Sequence, residues 1–221
     1  MTARLATTTL ALALLLAFTV LGRTPTAQEP SASLSSRYAS GWENDRLRVR
    51  TISVSPGAQV PAYANSDAVL VFLTADLAGR MPAAEATWQP AGGALENRGH
   101  GRVDALVIEV KKSDLRGGGT TPPEALPATG VVDVRVLIDN PQVLVTKQRY
   151  LPGTYAFPGW HFHPQDTLIV YLNGGHVGQP YGRWGLQRVR RGDIDVVPAN
   201  AFHSFANPGI DPLEFLAVFP K

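Results

Sequence analysis

The chain of 221 residues contains no cysteine. Disulfides, thiolate nucleophiles and cysteine-based zinc sites are therefore excluded. Any bound metal must be held by histidine, carboxylate or hydroxyl side chains. Long apolar runs are scarce too. The longest, Leu10 to Val20 (LALALLLAFTV), is shorter than the ~20 residues that a membrane-spanning helix needs. Dense basic runs are missing except at Arg188, Arg190 and Arg191, whose expected place is a solvated strand edge. Without clustered Lys and Arg there is little to contact phosphates, so no nucleic-acid partner is expected. Nowhere beyond the N-terminal run does a helical apolar period persist, which argues against a helical fold.

The N-terminus has the three-part layout of a secretory signal peptide over residues 1–27. Arg4 is followed by the apolar run and then by small residues around Gly22 and Thr26-Ala27. The expected location is therefore outside the cytoplasm, periplasmic or secreted, with an uncleaved anchor as the alternative. No cysteine follows the run, so a bacterial lipid anchor is excluded; no twin-arginine pair precedes it, so the chain is expected to leave unfolded. Cleavage removes Arg4 and Arg23 and no acid. The balance of 20 basic against 18 acidic residues then becomes 18 against 18. A neutral mature protein without a membrane attachment is expected.

The remainder is a duplicated unit. Glu43-Asn44 matches Asp139-Asn140, Val49 matches Val145 and Pro56-Gly57 matches Pro152-Gly153, all at an offset of 96. Asp67 and AVLVFL (68–73) match Asp166 and TLIVYL (167–172) at 99, and Pro90-Ala91 matches Pro198-Ala199 at 108. An offset that only grows is what loop insertions in a second copy produce. Between the copies, SDLRGGGTTPPEALPATG (113–130) holds neither helix nor central strand and reads as a connection. Each copy carries short β-branched and apolar runs that stop at Pro-Gly, which argues for an all-β sandwich or barrel. The expected organisation is a signal peptide (1–27), a linker (28–42), a first barrel (43–112), a linker (113–130) and a second barrel (131–221).

Two segments of the second copy carry the chemistry. In WHFHPQDTLIVYLNG (Trp160 to Gly174), His161 and His163 stand two apart. On a strand both imidazoles share one face, which suits a single metal ion; buried without one, they need other polar partners. In GDIDVVPANAFHSFAN (Gly192 to Asn207), His203 follows a Pro-containing turn that can return it to the first pair. His100, in the turn-like polar stretch ENRGHGR, reads as an ordinary surface residue, and His176, in the Gly-rich NGGHVG hairpin, reads as equally unremarkable.

These segments resemble the two motifs of the cupin superfamily. The first motif is G, then H-x-H, then E, then G. His161, His163 and Gly174 match it, Gly153 precedes with a small loop insertion, and Thr167 falls where the family has a glutamate ligand. The second is matched by Gly192, Pro198, His203 and Asn207, with Asn200 in place of a glycine. The resemblance covers nearly all of residues 43–221, as in bicupins. It implies two double-stranded β-helix (jelly-roll) barrels and one divalent metal ion, Fe, Mn, Zn or Cu, held by His161, His163 and His203 with water in the open positions. Asp166 or Thr167 is a possible fourth ligand. Asp67, however, occupies the place of Asp166 in a copy that lacks the histidines, which favours a fold role for both. The first copy has PAYANSD (61–67) where the pair should be and Leu95 where His203 should be, so no metal is expected there.

The implied activity is that of a metal-dependent enzyme, oxygenase-like, on a small organic molecule. The alternative is a non-catalytic cupin that binds a small molecule or a metal. Trp160, Phe162, Tyr171, Trp184 and Phe205 are candidate pocket linings or core residues. Pairing of barrels through their edges into a homodimer also follows from the resemblance.

Overall fold

The computed structural model describes residues 41–60, 66–74, 86–93, 95–111, 132–154, 162–178 and 186–221, the side chains of Val60 and Leu95 excepted. The expected signal peptide and the 113–130 connection lie outside these residues. All regular structure among the described residues is β, and every strand pairing is antiparallel.

The first half contains β1 (Leu47–Val54), β2 (Gln59–Val60), β3 (Asp67–Phe72), β4 (Ala86–Gln89), β5 (Leu95–Glu96) and β6 (Val103–Val110). They form a broad sheet ordered β1-β6-β3-β4 and a small β2-β5 ladder. The second half contains β7 (Val132–Asp139), β8 (Val143–Tyr150), β9 (Thr167–Tyr171), β10 (Gly175–Gly178), β11 (Leu186–Val189), β12 (Ile194–Val197) and β13 (Leu213–Pro220). Its broad sheet runs β12-β9-β13-β8-β7, with β10-β11 as the small one. A broad sheet with a two-stranded partner in each half gives two jelly-roll barrels of cupin type, as the strand-rich, Pro/Gly-punctuated sequence predicts.

The apolar runs are unbroken because the central strands bury both faces. On β9, Ile169 and Tyr171 point into the second barrel, whereas Leu168 and Val170 point out of it. On β13, Phe215, Ala217 and Phe219 point in, and Leu216 and Val218 point out. The outward residues do not meet water. They pack with Leu47, Val49, Val69, Val71, Leu106 and Ile108 of the first half's sheet in one shared core. The first barrel's own interior is smaller, built around Ala68, Leu70, Phe72, Val103, Ala105 and Val107.

The duplication extends to hydrogen bonds. Asn44 Oδ1 accepts from the backbone N–H of Arg46 and Leu47 at 2.9 and 2.7 Å; Asn140 Oδ1 accepts from Gln142 and Val143 at 2.8 and 2.9 Å. Asn97 donates to the carbonyls of Val54 and Gly101 and accepts from Gly99 N–H. Asn207 repeats this with Tyr150, Asp211 and Gly209. The second-motif asparagine is thus a turn clamp. Asn200, which replaces a motif glycine, adopts φ 59°, where Gly92 of the first half has φ 70°. Asparagine tolerates this left-handed conformation better than other side chains, so the substitution keeps the turn.

The basic trio departs in part from the expected solvated edge. Arg188 is exposed on β11. Arg191, by contrast, joins the halves: its Nε donates to the Leu172 carbonyl at 2.7 Å and its Nη1 to that of Leu73 at 2.9 Å.

Candidate metal centre

The inner face of the second barrel carries the candidate site. Thr167 opens β9 and pairs with Val197 of β12. It shares the inward parity of Ile169 and Tyr171, and it is 1 % exposed. Its Oγ1 is buried without a hydrogen-bond partner. The hydroxyl therefore stands inside the barrel where the resemblance puts a carboxylate, and it leaves a lone pair unused.

His163 and His203 come together on the inner side of the second barrel. The Asn200 N–H donates to the His163 carbonyl at 2.6 Å, which ties the first-motif segment to the turn before His203. The two imidazole centroids lie 5.0 Å apart with planes at 51°. The His163 ring also meets the edge of Phe219, 5.0 Å away. His203 is 3 % exposed, and its ring packs edge-on to Phe205 at 5.9 Å. His203 Nδ1 lies 2.9 Å from the Ala201 carbonyl. A carbonyl can only accept, so Nδ1 carries the proton and Nε2 the lone pair. Histidine ligands are oriented in this way in metal sites. His161 lies outside the described residues, as do Trp160, Trp184 and residues 61–65 of PAYANSD. Among the described residues no group of three or more His, Asp or Glu is assembled into a metal cage.

Asp166 is fully engaged elsewhere. Its Oδ1 accepts from the Ala199 N–H at 2.8 Å and its Oδ2 from Asn44 Nδ2 at 2.7 Å, across the halves. Asp67 repeats the pattern, with Ala91 N–H on Oδ1 and Gln142 Nε2 on Oδ2. Each aspartate thus pins the following turn and a loop of the other half.

Of the candidate linings, Tyr171 and Phe205 are buried in the barrel core and Phe162 is 59 % exposed. His100 is exposed in a bend, and His176 is exposed on β10, where it pairs with Arg188 of β11. Among the polar groups the sequence reading passed over is Asp195, 1 % exposed, whose Oδ2 accepts from the Tyr171 hydroxyl at 2.7 Å inside the barrel. The signal was available in IDVV, since strand alternation puts Asp195 on the same face as Val197.

No family model and no curated protein matches this chain. Solved structures do. A cupin 2 conserved barrel domain protein from Leptotrichia buccalis is 14% identical with a TM-score of 0.52, covering 85% of this chain and 88% of that one. A putative glyoxylate-induced protein from Pseudomonas aeruginosa is 15% identical with a TM-score of 0.59, covering 84% and 78%. Oxalate decarboxylase from Bacillus subtilis, a protein with Mn(II) centres, is 15% identical with a TM-score of 0.55, covering 80% and 69%. The class is thereby defined: this is an all-β protein of the cupin fold. The likeness spans both halves of the chain, not a single barrel.

Proposed function

We propose that this chain is an exported metal-dependent cupin enzyme, oxygenase-like, that binds one divalent ion through His161, His163 and His203 in the second barrel. The observation that carries the reading is the meeting of His163 and His203 at 5.0 Å, with the His203 Nδ1–H committed to Ala201. The donor set fits such an ion: two imidazoles side by side, one tautomer fixed by a carbonyl, and a buried hydroxyl of Thr167 with spare accepting capacity. Asp166 is left out of the set because both its oxygens are occupied by Ala199 and Asn44. A bound divalent ion without an anionic ligand keeps its full charge and acidifies bound water or polarises an anionic oxygen. The substrate class is accordingly a small organic anion that chelates through open positions. The Mn(II) centres of the Bacillus subtilis oxalate decarboxylase lend support from the same fold. A histidine site loaded outside the cytoplasm takes copper or zinc in preference to iron or manganese.

The deciding experiment is elemental analysis of the mature protein beside His203→Ala, followed by oxygen uptake with carboxylates, diketones and thiols. About one equivalent of metal, lost in the variant, and uptake with any compound support the enzyme. Metal with tight ligand binding and no uptake supports the non-catalytic cupin. No metal in either protein after reconstitution overturns the metal-dependent enzyme and leaves a barrel that binds a small molecule without metal.

A further inference from the structure

The two copies separate residues that serve the fold from residues that go with the histidines. Offsets of 96, 99, 108 and 110 align β1 with β8, β3 with β9, β4 with β12 and β6 with β13. Asp67 and Asp166 occur in both copies and hold the same turn. Tyr171 and Asp195 occur only in the copy that has the histidines. Their counterparts are Phe72 and Thr87, without the hydroxyl and without the carboxylate. The strand register is the same in both: Leu70 opposes Thr87 as Ile169 opposes Asp195. The backbone therefore holds its register without this pair.

Asp195 shares the inward parity of Val197, and Tyr171 Oη donates to its Oδ2 at 2.7 Å. Its row across the sheet continues through Ile169 and Ala217 to Thr146. Phe219, whose edge the His163 ring meets, stands two residues beyond Ala217 on β13. Two strand residues span about 7 Å, so Asp195 stands one row beneath the level of that ring. It is not gathered with His163 and His203 into one ligand set. The first barrel also buries a carboxylate on its inner face, Glu109, and balances it with Arg48 at 3.4 Å and Arg50 at 3.0 Å. At the places of these arginines the second barrel has Leu144 and Thr146. Buried charges are screened little by salt and water, so a carboxylate and a cation one row apart act on each other.

We propose that Asp195, held by Tyr171, is a positioning residue of the metal centre: it balances the ion from outside the ligand set and thereby sets the charge of the substrate. The inference rests on the metal reading above and refines it. A divalent ion on three neutral imidazoles carries two positive charges, and with Asp195 the barrel interior keeps one. A chelating monoanion, a 2-hydroxycarboxylate or an enolised diketone, completes the balance. A dianion leaves a negative charge in excess, which is costly in a buried place. The carboxylate therefore has opposite effects on the two kinds of ligand. It tightens the cation and weakens an anion bound to it.

The test is titration of the metal-free full chain with cobalt(II), followed by visible absorption, and then titration of the loaded protein with azide. Asp195→Asn keeps the shape and an acceptor for the Tyr171 hydroxyl and removes the charge. It should weaken cobalt about tenfold and tighten azide about threefold, the smaller factor reflecting the single charge of azide. Weakening of both ligands means that Asp195 only packs the barrel, and overturns the proposal. Equal cobalt affinity in the two proteins overturns it as well and leaves the metal reading standing. A wild type that takes up no cobalt overturns the metal reading and this inference with it. If the variant does not fold, the loaded wild type decides: measured against their affinities for aqueous cobalt(II), lactate should gain on oxalate. Oxalate that keeps its full aqueous advantage overturns the proposal.

Discussion

Asp166 and Thr167 are neighbours in sequence with opposite surroundings. The aspartate has both oxygens bonded, one of them across the halves; the threonine hydroxyl is buried with none. Asp166→Ala is therefore expected to leave metal content unchanged while lowering stability by about 1 kcal/mol, the loss of one exposed and one part-buried hydrogen bond. Elemental analysis and denaturant melts of the same preparation check both halves of that expectation. Loss of metal in a stable variant makes Asp166 a ligand after all. Asn207→Ala should be severe, about 2–4 kcal/mol, because one side chain closes three backbone hydrogen bonds at 1 % exposure. Much at this scale was readable beforehand. The resemblance pointed to His163 and His203, which the fold brings to 5.0 Å, and the shared Asp67 and Asp166 pointed to the turn-holding contacts both make. Asp195, Arg48 and Glu109 were not read, because a charged residue on a strand looks like a solvent-facing one until register reveals which face is inside.

At the scale of the element, β1 is tied at its start by charge. Glu43 accepts from Arg48 and Lys111, and these partners hold its carboxyl down at about 2. The folded value lies below the ordinary 4.5, so the stabilisation is complete above that value and is lost as the pH falls through about 2. The contact is exposed and screened by solvent, so the effect is small. Thermal melts of wild type and Glu43→Gln should differ above about pH 4.5 and converge near pH 2; a difference that persists unchanged at the acid end contradicts this account. Element types were legible in the sequence because β-branched runs stop at Pro-Gly turns. What each run faces was less legible. A run such as TLIVYL is apolar at every position because both its faces are buried, so alternation carries no information on which residues point into the barrel.

At the scale of the molecule, the duplicated halves are bound by the core they share. Val143, Val145, Leu168, Val170, Leu216 and Val218 are each fully buried, and they are buried against the first half's sheet. Arg191 and the Asp67 and Asp166 clamps add polar ties across the same boundary. The first barrel lacks the histidine trio, yet its outer sheet face is as apolar as the second's. Its covering role therefore does not depend on any ligand in its interior. Residues 131–221 expressed alone should in consequence expose a continuous apolar sheet face, and such a face drives aggregation or association. Within the full chain, Leu216→Ala should cost about 2–5 kcal/mol, as removal of a fully buried leucine does, and should destabilise both barrels in one cooperative transition. Size-exclusion chromatography of the fragment and a single calorimetric transition of the full chain are the checks. A monomeric, folded 131–221 fragment, or two separable transitions in the intact protein, means that the halves are independent domains and that the shared core only glues them.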